Sequence, residues 1–326
     1  MPFYIKNIEI ENQVILAPMA GITSFSYRKL MKKMGASLTY TEMISDCGIN
    51  YDNKKTFDLL QSNGEDRPLA LQLFGGKTTS LVEAVKNIEK SGFKYDILDL
   101  NLACPVPKVT KNNGGSSRLL DQDALFSMVK EVIKASSKPV SAKIRLGFNN
   151  INVEETVKTL SNAGINFLAI HARTKKDGYT GKANYEALKN IKKITNVPFC
   201  VSGDIYTPED AVEAIKITSC DAIMVARGGI GNPQLITNID LALKGESKRL
   251  LLNPLKQLQY LKEYSFDLKN ELGEKRACSI LKGIAPKFFL KFPNLKELRC
   301  GIINNLDSIE DMMNFIDSFL KEHLIY

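Results

Sequence analysis

Between residues 14 and about 226 the chain alternates short apolar runs with longer stretches whose apolar positions recur at helical spacing. The short runs fall at 14–17, 38–41, 70–73, 97–100, 140–144, 167–170, 198–201 and 222–225. They are too short for buried helices, and several are rich in Val and Ile, so they predict buried parallel strands. Between them, 24–34, 78–90, 121–135, 153–163 and 207–218 predict helices. Ser24 and Thr78 stand where caps are expected. Thr207-Pro208 with Asp210 is a stronger start, joining a cap, a first-turn proline and an early acid. Eight strands alternating with helices over about 215 residues predict a closed parallel (β/α)8 barrel, the TIM-barrel class. The alternative is a doubly wound open sheet. Its glycine fingerprint belongs after the first strand, where Ala17-Pro18-Met19-Ala20-Gly21 does not fit it.

Beyond residue 243 the alternation stops, and 254–270, 274–284 and 308–322 predict helices. The chain therefore divides into a barrel, 1–242, and a smaller all-α domain, 243–326. Hydrophobic residues make up 44% and charged residues 25%, as in soluble globular proteins. No apolar run reaches the roughly 18 residues of a membrane span. The start, Met1-Pro2-Phe3-Tyr4-Ile5-Lys6-Asn7, lacks a basic region followed by an apolar one, so no secretory signal is expected and a cytoplasmic location is. The six cysteines (47, 104, 200, 220, 278 and 300) form no CxxC pair, which predicts neither a metal site nor a disulfide framework.

Charge is uneven. The net charge is +8, yet residues 242–299 carry 13 basic and 6 acidic groups, and 275–296 holds six basic residues and no acid. A polyanion is the natural partner of such a run. A solvated lysine-rich surface is the plainer alternative, since Lys (35) far outnumbers Arg (9).

In a barrel the C-terminal strand ends build the active site. Here they carry Pro18-Met19-Ala20, Glu42-Met43, Gln72, Asn101 with Cys104, Lys143 with Arg145, His171 with Arg173, Ser202-Gly203-Asp204, and Ala226-Arg227-Gly228-Gly229. Cys104 precedes Pro105, which biases it away from helical angles and onto a mobile loop, although a small buried core cysteine reads the same way. Lys143 requires an electron-rich partner if buried: a phosphate, a flavin ring, a Schiff-base carbonyl or an internal carboxylate. Segments 202–204 and 226–231 follow strands seven and eight, where barrels commonly bind phosphate. His171 is one of two histidines.

In order and spacing these blocks resemble the dihydrouridine synthases, flavin enzymes that reduce uridine in folded RNA, usually tRNA. The blocks are Ala17-Pro18-Met19-Ala20-Gly21-Ile22-Thr23, Glu42-Met43, Gln72-Leu73-Phe74-Gly75, Asp99-Leu100-Asn101-Leu102-Ala103-Cys104-Pro105, Lys143-Ile144-Arg145, His171-Ala172-Arg173-Thr174, Ser202-Gly203-Asp204 and Ala226-Arg227. The chain is most similar to the bacterial, B-type-like branch, with a helical RNA-binding domain after the barrel. The resemblance implies FMN held by Pro18, Met19, Ala20, Gln72, Lys143, His171, Ser202, Gly203, Asp204, Ala226 and Arg227. It implies Cys104 as general acid. RNA contacts would come from Asn101, Arg145 and Arg173, with Lys282 and Lys287 from the basic run. It further implies NADPH or NADH as reductant, tRNA or ribosomal RNA as partner, no membrane and no metal, and a monomer is expected. Ala103, Ser202 and Ala226 stand where the family commonly has Gly, Asn and Gly, and the chain has no tryptophan. The rival readings are a dihydroorotate-dehydrogenase-like barrel acting on a free pyrimidine, an aldolase using Lys143, and a non-catalytic RNA-binding barrel.

Overall fold

The computed structural model describes residues 2–290, 292, 294–304 and 308–323, so Lys291 of the basic run lies outside the described residues. The strand runs form β1 (Val14–Leu16), β2 (Thr39–Tyr40), β3 (Leu69–Phe74), β4 (Ile97–Leu102), β5 (Val140–Arg145), β6 (Phe167–His171), β7 (Phe199–Ser202) and β8 (Ala222–Val225). All pair in parallel in the order β1-β8-β7-β6-β5-β4-β3-β2. The ring closes where Ile15 bridges Leu38 and the Leu16 N–H donates to the Leu38 carbonyl at 2.9 Å. The closed-barrel expectation is therefore met, and an open sheet is excluded.

Because side chains alternate across a strand, each strand serves two cores. Leu71, Leu73, Leu98, Leu100, Ala142, Ile144, Leu168 and Ile170 pack outward under the helices. Ala70, Ile97, Phe167, Ala169, Cys200, Ala222 and Met224 fill the interior. An antiparallel hairpin, Phe3–Ile5 with Ile8–Ile10, closes the N-terminal end. It buries Ile5 and Ile10 in that interior cluster and stacks Phe3 on Phe167 at 5.9 Å. Three-residue strands carry no readable period, so sequence patterning does not announce this plug.

The outer helices are α1 (Phe25–Lys33), α2 (Thr78–Ser91), α3 (Gln122–Ala135), α4 (Val153–Ala163), α5 (Pro208–Thr218) and α6 (Gln234–Leu243). Thr207 and Asp210 form the reciprocal capping box expected for α5. Thr78 is the first residue of α2 rather than its cap, which is Lys77. Ser24 makes no side-chain cap bond to α1.

The C-terminal part comprises α7 (Pro254–Leu272), α8 (Glu274–Ile284), a 3-10 turn (Ala285–Phe289), α9 (Leu295–Asn304) and α10 (Ile309–His323). Sequence patterning shows neither α6 nor α9. Helix α7 lies against α1, with Tyr264 edge-to-face on Tyr27 at 5.8 Å. Glu271 of α7 accepts from the Phe25 N–H at 3.0 Å, the Ser26 N–H at 2.8 Å and the Ser26 hydroxyl at 2.5 Å. A carboxylate from outside the barrel thus does the capping expected of Ser24. The loop after β8 also meets this part. Gly231 has φ +72°, and a Cβ there would lie 2.3 Å from the Lys287 carbonyl carbon, so both backbone angle and approach require glycine. Among the described residues no helix is long and apolar enough to cross a membrane.

Glu271→Ala is expected to destabilise the protein by about 2 kcal/mol and Ser24→Ala by much less, because only Glu271 satisfies the orphan donors of α1. Urea unfolding of both variants checks the ranking, and equal losses would contradict it.

Candidate active site

The upper inward positions of the strands are polar. Gln72 pairs in register with Asp99, Asn101 with Lys143, Arg145 with His171, and His171 with Ser202. They surround a cavity of about 500 Å³ at the C-terminal mouth of the barrel. Its lining includes Pro18, Met19, Ala20, Gln72, Asn101, Cys104, Lys143, Arg145, His171, Ser202, Gly203, Asp204, Ala226, Arg227 and, from the C-terminal part, Lys287. Two of the residues expected to contact RNA lie outside this lining. Arg173 is 2% exposed and does not line the cavity, and Lys282 is exposed on α8.

One wall is a run of hydrogen bonds. The Ser141 hydroxyl donates to Asp99 Oδ1 at 2.5 Å and Gln72 Nε2 donates to Asp99 Oδ2 at 2.7 Å. Asn101 Nδ2 donates to Gln72 Oε1 at 2.7 Å. Asn101 Oδ1 accepts from the Ala103 N–H at 3.1 Å and the Cys104 N–H at 2.9 Å. Beyond the thiol, the Cys104 carbonyl accepts from the Ser116 N–H at 3.1 Å and hydroxyl at 2.9 Å. Gly115 presses so close that a Cβ would sit 2.7 Å from that carbonyl oxygen. Cys104 thus lies on a loop after β4, as expected, with its backbone hydrogen-bonded on both sides. Ala103 is absent from the residues with positive φ, so its Cβ adds no strain where the family commonly has glycine.

Arg145 braces the same wall. It donates Nε to the Ala103 carbonyl and Nη1 to the carbonyls of Thr174 and Gly178, each at 2.8 Å. Arg173 pairs with Asp204 at 2.6 Å, and Asp204 also accepts from the Ala183 N–H at 2.8 Å. This carboxylate thereby ties the loop after β6 to the loop after β7. Arg227 lies 3.7 Å from Asp204, with its guanidinium over Tyr179 at 5.0 Å and Tyr206 at 5.9 Å. Met43 lines the mouth as the Glu42-Met43 block predicts, whereas Tyr179 and Tyr206 do so without any signal in the patterning. Asp99 is fully buried, and its alternation with Asn101 places both inward.

The electrostatics are lopsided. Burial lowers the Lys143 pKa to about 8, with Arg145 acting in the same direction. Among the described residues Lys143 forms no ion pair within 4.0 Å. Burial, then Lys143, Arg145, Arg173 and Arg227, push the His171 imidazole down to about 2, so it is neutral at physiological pH. Its Nδ1 lies 3.3 Å from the Ser202 hydroxyl, while Nε2 is buried with no partner among the described residues. Burial raises Asp99 to about 6, opposed by its bonds from Ser141 and Gln72. Lys143, Arg145, Arg227 and Lys287 line the cavity against one carboxylate, Asp204, already paired with Arg173, which makes this a site for an anionic, electron-rich ligand.

A closed barrel with a cationic, amide-lined cavity at the C-terminal ends of its strands defines an enzyme of the TIM-barrel class. The sequence model of the dihydrouridine synthase family matches residues 15–322, barrel and helices together, and the chain belongs to that family. The chain is 33% identical over 325 residues to a probable tRNA-dihydrouridine synthase of Aquifex aeolicus, covering 97% of this chain and 98% of that protein. It is 32% identical over 317 residues to tRNA-dihydrouridine synthase B of Pseudomonas aeruginosa, covering 96% and 94%. Solved structures share the fold alone. An old yellow enzyme homologue from Zymomonas mobilis superposes with a TM-score of 0.55 at 12% identity, over 78% of this chain and 95% of that one. The 6-hydroxypseudooxynicotine amine oxidase of Pseudomonas geniculata superposes with 0.57 at 13%, over 80% and 52%.

Without a ligand, protonated Lys143 opposes folding. Its folded pKa lies below the free value near 10.4, so the penalty is complete below about pH 8 and fades as the pH rises from there toward 10.4. Lys143→Met should therefore raise the melting temperature of the ligand-free chain at pH 7 by a few degrees and weaken the rise between pH 8 and 10. Thermal melts across pH check this, and a lower midpoint for the variant at pH 7 would refute it.

Proposed function

We propose that this chain is a flavin-dependent tRNA-dihydrouridine synthase, converting uridine to 5,6-dihydrouridine with Cys104 as proton donor. The observation that carries the reading is one cavity with an unpaired, half-buried lysine on one wall and a braced cysteine on another. Membership of the family and the names of its relatives support it.

The residues present fit FMN. Lys143 and the bare Nε2 of His171 suit the electron-rich edge of a flavin, and Gln72 contributes an amide. Pro18, Met19 and Ala20 supply an apolar wall, while Ser202-Gly203-Asp204 and Ala226-Arg227 lie where barrels hold phosphate. When bound and reduced there, the flavin would supply the hydride for one carbon of the uracil double bond. Cys104 gives the proton of its Sγ to the neighbouring carbon. Arg145 holds the Cys104 wall rigid through the Ala103 carbonyl, so the thiol meets the base without first ordering a loop.

A base enters this cavity only after leaving its stack, at a cost of a few kcal/mol that contacts to the RNA backbone offset. We assign those contacts to the segment 243–326, with the flavin chemistry in 1–242. Lys287 lines the cavity mouth, and Lys275, Arg276 and Lys282 are exposed on α8. Asn101, Arg145 and Arg173 support the base-side wall. NADPH is the proposed reductant, with NADH the alternative, reaching the same cavity in a separate half-reaction. The enzyme is proposed to act as a cytoplasmic monomer.

Purified protein should be yellow and release FMN on denaturation, and a colourless protein that takes up no FMN would sink the reading. Cys104→Ala should keep FMN and RNA binding yet lose at least about a hundredfold in dihydrouridine formed on tRNA. Undiminished product, measured by mass spectrometry of digested RNA, would remove Cys104 from its role. Charge reversal, Lys282→Glu with Lys287→Glu, should weaken tRNA binding and flatten its salt dependence by roughly two counterions. Filter binding between 50 and 200 mM salt, about the range over which such slopes are read, would count against the assignment if the slope stayed unchanged.

A further inference from the structure

The wall from Asp99 to Cys104 has a property that pairwise contacts do not show. Side-chain amides can flip, exchanging donor for acceptor, so a chain of two amides has two possible directions. Here both ends are irreversible. At one end the backbone N–H groups of Ala103 and Cys104 can only donate, which makes the atom of Asn101 facing them an oxygen. Asn101 then turns its nitrogen to Gln72, whose oxygen accepts and whose nitrogen points at position 99. The residue at 99 must accept there, and Asp99, 0% exposed, does so while taking the Ser141 hydroxyl on its other oxygen.

We infer that Asp99 is a positioning residue: acting through Gln72 and Asn101, it supplies the acceptor that the direction of the amide chain requires and thereby anchors the chain that holds the backbone carrying the Cys104 thiol. It touches neither substrate nor thiol. What it supplies is an acceptor, so the inference distinguishes acceptor from charge. Asparagine at 99 retains an oxygen toward Gln72 and can donate to the Ser141 hydroxyl, which is able to accept. Leucine offers nothing, leaving Gln72 Nε2 buried and bare, and the chain loses its anchored end. The role in the reaction rests on the function proposed above, whereas the role in holding Cys104 does not.

The test therefore has two arms. In the free protein, the rate of Cys104 alkylation by iodoacetamide, followed by mass spectrometry, should change at least several-fold in Asp99→Leu and in Asn101→Ala, and stay near wild type in Asp99→Asn. In single-turnover reduction of tRNA uridine by pre-reduced enzyme, Asp99→Leu should be about ten- to a hundredfold slower, with Asp99→Asn restoring most of the rate. In the Cys104→Ala background Asp99→Leu should cost nothing further, since both act on one proton transfer. The inference is overturned if Asp99→Asn and Asp99→Leu are equally impaired, if the losses multiply in the double variant, or if Asn101→Ala leaves Cys104 alkylation unchanged. That last result decides the matter even if Asp99→Leu fails to fold. A wild-type enzyme that forms no dihydrouridine would sink the proposed function, while the alkylation series would still judge the amide chain.

Discussion

Closing eight parallel strands into a ring sends every second side chain into a space that cannot be left empty. Everything else in this protein follows from how that space is filled. Toward the N-terminal end the inward residues are apolar, and the hairpin adds Ile5 and Ile10 as a plug. Toward the C-terminal end the same parity delivers Gln72, Asp99, Asn101, Ser141, Lys143, His171 and Ser202. Buried polar groups there must find partners or wait for a ligand. Asp99, Gln72 and Asn101 find one another, whereas Lys143 and the Nε2 of His171 find no partner among the described residues.

That division gives the cavity two characters. The wall with Cys104 is satisfied and stiff, held by Asn101, Ser116, Arg145 and the close approach of Gly115. The wall with Lys143 and His171 holds positive charge and a bare nitrogen at an energetic cost to the fold. A cationic wall that works against the stability of the fold, facing a braced thiol, is the arrangement expected where binding and chemistry are separated in space.

The helical part is joined to this barrel by contacts that tolerate little change. Glu271 caps α1, Tyr264 packs on Tyr27, and Gly231 admits the backbone at Lys287. Through that last contact a lysine from outside the barrel reaches the cavity mouth. The basic run is thereby divided: Lys287 faces the cavity, while Lys282 lies on an open helix face. Charge counted along the chain had no means of separating the two, because both sit in the same acid-free stretch.

Strand order, barrel class and most of the cavity lining could be read from residues alone, since parallel strands buried on both faces are apolar for their whole length and their last residues fall at one rim. The family blocks added Cys104 and its neighbours as chemistry. The hairpin, α6 and α9 escaped because each is too short or too ambiguous in period to stand out from its surroundings. Ser24 was read as a cap because capping is judged from local residue type, whereas Glu271, about 245 residues away, does the work. Tyr179 and Tyr206 stand on loops whose course no periodicity encodes. Local residue order decided which atoms could reach the rim. Which of them would be spent on neighbouring protein groups, as Arg145 and Asn101 are, and which would be left facing the cavity, as Lys143 is, depended on distances across strands that only the closed barrel sets.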